Sequence, residues 1–149
     1  MKLSASSSRK VWLTLVLALA AIVVSVVAAF GDVTASTNTL TSAVKAANDR
    51  VTVIGDYSTT LHTSPDECNT LAGLTVTEFA RNTTTGVVTT LGTGTTDAAG
   101  HYDFQGATKL PVAGDIYAVY TVVQGRMSGP YGNQHGCADA TSNEILVQG

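Results

Sequence analysis

A chain of 149 residues holds one ordinary domain and cannot fill two cores. Only 13% of its residues are charged, against 44% apolar, and threonine takes up the difference: 23 residues, 20 of them between Thr34 and Thr108. A Thr-rich, Gly-rich, charge-poor composition favours strands over helices and excludes a large enzyme, a coiled coil, a basic nucleic-acid module and a charged disordered tail.

The chain opens with Lys2, Arg9 and Lys10, and its next charged residue is Asp32. Between them, Val11 to Phe30 is apolar apart from Thr14 and Ser25. A positive flank, an apolar run and small residues after it make a secretory signal, with Val27-Ala28-Ala29 or Val33-Thr34-Ala35 as cleavage choices. Twenty residues at 1.5 Å rise also span about 30 Å, which suits an uncleaved anchor. Residues 1–30 are therefore expected to be a signal peptide or a transmembrane helix. Either way the basic end stays inside and the rest is exported. Beyond Ala29 five basic residues face all eleven acids, a net charge of −6, and no basic stripe is left to hold a nucleic acid.

Residues 31–50 are Ser/Thr/Ala-rich and read as a polar linker. The spacing of Leu40, Val44 and Ala47 leaves room for a short helix in it. From Val51 the apolar period becomes two, and residues 51–149 are expected to form the folded domain. Val51 to Ile54 and Tyr57 to Thr63 are strand candidates, separated by Gly55-Asp56. Leu74 to Phe79 alternates, with Leu74 and Val76 on one face and threonines on the other. Asn82 to Gly86 is a turn, and Val87 to Leu91 returns from it. Thr95 to Gly100 is a tight turn that leads into His101-Tyr102-Asp103-Phe104, with the two aromatic rings inward. Leu110 to Asp115 is another turn. Ile116 to Val123, apolar on both faces, is expected at the centre of a sheet. Gly125 to Gly136 is a Gly-rich loop and Glu144 to Gln148 the closing strand. About seven short strands with frequent turns point to an all-β fold, an antiparallel seven-stranded sandwich.

Cys68 and Cys137 are the two cysteines. In a small exported domain an even count reads as a disulfide, closing a loop of about 70 residues and contributing up to about 4 kcal/mol. A zinc site would need four closely spaced ligands, which the chain lacks.

Leu71 to Val76, Thr96 to Phe104, and Leu110-Pro111 with Gly114 to Val119 occur in an order that resembles carboxypeptidase-regulatory-like domains, relatives of the prealbumin-like and Cna-B-type sandwiches. In that setting Asp97 bonds amides across its turn, Gly100 and Gly114 serve turns, and Tyr102 and Phe104 fill the core. The resemblance implies an Ig-like or prealbumin-like sandwich that works as a non-catalytic module of secreted and surface proteins. A weaker likeness, in Ala29 to Asp32 and Ser36 to Ala43, is to TasA-type and camelysin-like exported fibre proteins. Cna-B-type domains sometimes carry a Lys–Asn isopeptide bond, for which Lys45 or Lys109, Asn133 or Asn143, and Glu78 are the raw materials, but neither lysine lies in an apolar strand context that would desolvate it for attack.

No nucleophile elbow, zincin helix or phosphate loop is present, and no cofactor is expected. His62, His101 and His135 lack ligand spacing. Asp97, Asp103 and Asp115 flank turns without forming a calcium loop. Glu78 and Asp103 could pair as acid and base, although both read as solvent-facing strand positions. Tyr57 and Tyr131 are loop candidates for carbohydrate binding, and Asn82-Thr83-Thr84 is a glycosylation sequon on a turn. The leading expectation is a structural or adhesive surface module, which touches the membrane through its leader if uncleaved and meets surface or matrix components or itself. Two alternatives stand beside it. One is a filament subunit joined by strand addition, with the N-terminal region or residues 32–50 as the donor. The other is a small-ligand or metal-binding module that uses the 125–136 loop, with Tyr131 and His135.

Overall fold

The structure, a computed structural model, describes residues 33–61, 69–128 and 135–149. These residues are all-β and contain no helix. The expected leader helix lies outside them, as do Cys68, Tyr131 and His62. The strands are β1 (Val33–Thr34), β2 (Ser36–Lys45), β3 (Arg50–Thr59), β4 (Thr75–Asn82), β5 (Val88–Thr95), β6 (His101–Lys109), β7 (Ile116–Val123), β8 (Met127–Ser128), β9 (His135–Cys137), β10 (Ala140–Thr141) and β11 (Ile145–Gln148).

One sheet runs β2-β3-β6 and a larger one β10-β7-β4-β5, with β11 also on β7. The two share a single core. Leu40, Val51, Val53, Tyr57 and Tyr102 come from the first sheet, and Val76, Ala80, Leu91, Tyr117, Val119 and Val123 from the second. β7 lies inside its sheet, between β4 on one side and β10 and β11 on the other. That position suits a strand whose outward residues Ala118, Tyr120 and Val122 are as apolar as its inward ones.

Three expectations need correcting. The described part of the expected linker, residues 33–50, contains no helix and belongs to the sheets. Ser36–Lys45 is β2, paired with β3 from Ser36↔Thr59 to Lys45↔Val51, and Asn38 and Leu40 are buried. Its Thr-x-Thr-x spacing carries a period-two signal that β-branched residues favour. Arg50–Thr59 is one strand that runs through Gly55, paired there with Leu40 and Tyr102, and the position takes glycine because a Cβ would collide with the Tyr102 hydroxyl and the Thr39 carbonyl. Finally, the pairing is not wholly antiparallel. β1 runs parallel to β9, with Val33↔Gly136 and Thr34↔Cys137, in a small sheet β1-β9-β8. The roughly hundred residues between β1 and β9 supply the long return that a parallel pair requires.

The two open corners between the large sheets are closed in different ways. At β5/β6 two glycines let the backbones touch, since a Cβ on Gly92 would sit 2.8 Å from the Gly106 Cα. At β2 the Asn143 side chain stands in for a strand. Its Oδ1 accepts from Leu40 N at 2.9 Å, and its Nδ2 donates to Leu40 O at 3.1 Å, beside the bulge between Leu40 and Ser42.

Candidate functional site

Antiparallel pairing of β4 and β7 sets Asn82 against Tyr117 at one pole and Val76 against Val123 at the other. The chain enters at the Val123 pole. There Ala138 N donates to Thr34 O, and Cys137 N donates to the carbonyl of Arg126, just beyond the end of β7. A groove of about 230 Å³ opens at the opposite pole, roughly 20 Å away along β7. Val87, Pro111, Val112 and Tyr117 supply its apolar walls, and Asn82, Thr85, Thr89 and Asp115 its polar groups.

Local bonds hold this groove in shape. Asn82 is buried and caps its turn, with Oδ1 accepting from Thr84 N and Thr85 N at 2.9 Å. Its Nδ2 donates to Asp115 Oδ2 at 2.7 Å. That nitrogen is the atom a glycan would be joined to, so burial and this bond explain the Asn82-Thr83-Thr84 sequence as a turn cap. Tyr117 Oη accepts from Val112 N at 2.9 Å, which holds the 111–116 loop against β7. Gly114, at φ +88°, donates to Gly149 O, and Gly149 N donates back to Asp115 O. Asp115 forms no ion pair among the described residues.

Asp97 Oδ1 accepts from Ala99 N at 2.8 Å and His101 N at 3.0 Å. Gly100 sits at φ +84°, and a Cβ there would collide with the Tyr57 carbonyl. Tyr102 is buried, its hydroxyl bonded to Asn38 Oδ1 at 2.9 Å and Thr121 Oγ1 at 2.7 Å. Phe104 is partly buried beside it, with ring centroids 6.3 Å apart. Tyr57 is a core residue of β3 and not a loop tyrosine; its hydroxyl donates to Ala138 O at 2.9 Å. His101 Nδ1 lies 2.9 Å from Asp56 Oδ1, and the hydrogen bond to this carboxylate raises the imidazole pKa. Cys137 is fully buried in β9, whereas its expected partner Cys68 falls outside the described residues. His135 begins the same strand. A polar recess of about 210 Å³ at this pole is lined by Gly73, Thr75, Gln124, Gly125 and Arg126, so it adjoins the start of the 125–136 loop. Among the described residues no group of three His, Cys, Asp or Glu is placed to hold a metal.

The expectation most clearly overturned is the exposure of Glu78. It is 0% exposed, and neither carboxylate oxygen has a hydrogen-bond partner. The phase of β4 puts Val76, Glu78, Ala80 and Asn82 all inward. The Glu78 carboxyl lies against Gly106, where a Cβ would meet Oε2 at 2.6 Å. Burial alone pushes its pKa up to about 8, so it is carried as the neutral acid at pH 7. Asp103 is exposed on β6, so the two form no acid–base pair. Nor does a lysine among the described residues bond Glu78, since Lys45 and Lys109 both reach Asp49 at 3.7 Å.

The period-two pattern that identified Leu74 and Val76 as inward also marks Glu78, and residue polarity concealed it. The groove left no comparable sign, because its walls come from two turns distant in sequence. No family model matches the chain, and neither a curated protein nor a solved structure matches it.

Proposed function

We propose that this protein is an exported, non-catalytic module, secreted or held at the cell surface by its leader, with a structural or adhesive role. On this reading the two large sheets form an Ig-like or prealbumin-like sandwich stapled by a Cys68–Cys137 disulfide. The observation that carries it is polar geometry along the long axis. The chain arrives at the β1/β9 pole, and the apolar groove opens at the far pole, so a tethered domain would present that groove outward. A carboxylate with no ion pair among the described residues, set in preorganised apolar walls, suits recognition, whereas the buried neutral acid Glu78 is sealed from any substrate.

The test is fractionation of cells and medium, followed by intact mass of the native protein with and without reduction and thiol alkylation. An extracellular or surface location and two alkylatable thiols appearing only after reduction are expected. An intracellular protein with both thiols free would overturn the reading.

A further inference from the structure

The groove at the far pole is too small for a drug-sized ligand, since such sites usually exceed about 300 Å³, but its 230 Å³ accommodates a single long side chain. Its chemistry is two-part: aliphatic and aromatic walls, and a carboxylate that no cation neutralises among the described residues. We propose that this groove receives a lysine side chain from a partner protein, with its methylenes along Val87, Pro111, Val112 and Tyr117 and its ammonium on Asp115. The proposal rests on the surface-module reading and adds the partner's chemistry to it.

The geometry favours lysine over the other cation. Asn82 Nδ2 already occupies Asp115 Oδ2 at 2.7 Å, which leaves Oδ1 as the open acceptor. A guanidinium binds best as a fork across both oxygens, whereas an ammonium is a compact point charge satisfied by one oxygen and nearby hydroxyls. Thr85 and Thr89 line the groove and supply such hydroxyls. The stem matters equally. Val87 is 61% exposed and Val112 51%, an apolar rim that a four-carbon chain would cover. The net charge of −6 outside the leader draws cationic partners from a distance. Because Asn82, Tyr117 and Gly149 already pin the walls, little ordering entropy is lost on binding.

The experiment is a nitrogen–proton correlation NMR titration of the full-length protein with a capped Gly-Lys-Gly peptide and its arginine and Nε-acetyl-lysine counterparts. The lysine peptide should give saturable shifts at Val87, Val112, Asp115 and Tyr117, with a Kd of about 1 mM, as expected of an isolated anchor. The neutral acetylated peptide should bind at least about tenfold more weakly, the usual worth of one charge-assisted bond. Asp115→Asn, in which Asn82 retains an acceptor, should weaken the lysine peptide by a similar factor. Val112→Lys, at an exposed position, should abolish the response by placing a competing ammonium over the same carboxylate. Absence of saturable shifts, equal binding of the acetylated or arginine peptide, or an unchanged Asp115→Asn titration would overturn the proposal. Such failure in a protein found outside the cell leaves the surface-module reading standing, whereas an intracellular location defeats that reading whatever the peptides do.

Discussion

Replacement of Glu78 by glutamine should convert a steeply pH-dependent protein into a flatter one. In the folded chain the carboxyl holds its proton up to about pH 8, against an ordinary value of 4.5. A raised folded pKa means that the native state binds the proton more tightly than the unfolded state does. The resulting stabilisation is full below pH 4.5 and is lost as the pH climbs through 8. At about 1.4 kcal/mol per unit, the loss approaches about 5 kcal/mol at pH 9, of which about 3 has accrued by pH 7. Entry of water on ionisation makes these upper values. Urea unfolding of the native protein and of Glu78→Gln at pH 5, 7 and 9 measures the effect. The wild-type midpoint should fall between pH 5 and 9, and the variant should lack most of that fall. A wild-type midpoint that stays level from pH 5 to 9, or a variant with the same slope, would refute the buried-acid account.

Gly106→Ala would drive a Cβ to 2.6 Å from Glu78 Oε2 and 3.0 Å from Leu91 O, and should cost about 1–3 kcal/mol in thermal unfolding. Asn143→Ala removes both bonds to the Leu40 backbone at the bulge. A loss of about 1–3 kcal/mol is expected, together with faster amide exchange at Leu40. His101 owes its raised pKa first to the hydrogen bond with Asp56, so that pairing stabilises the fold below the ordinary histidine range and fades as the pH passes the folded value. NMR titration of Asp56→Asn should show the His101 midpoint moving down toward that of a free histidine.

β5 and β6 are terminal strands of their sheets, and edge strands invite pairing with other chains. Here the glycine contact between Gly92 and Gly106 brings the two edges together. The same contact roofs Glu78, so corner closure and burial of the acid are one structural event. Tyr102, whose hydroxyl reaches Thr121 on the opposite sheet, pins the middle of the same interface.

Much of this architecture could be read directly from residue order. Strand content follows from β-branched composition. The bounds of Ile116–Val123, the inward aim of Tyr102 and the turn bonds of Asp97 follow from alternation and local turn chemistry, which act over a few residues. Other features depend on which strands lie opposite one another. Ser36–Lys45 became a strand because β3 offers it a ladder and the core takes Asn38 and Leu40. Glu78 lost its water because Gly106 closed over it. Asn143 found Leu40 across 103 residues, and Asn82 met Asp115 across 33. Burial, and with it the charge state of an acid, is a property of the neighbours that folding delivers, so local sequence set the faces and tertiary packing decided what each face would meet.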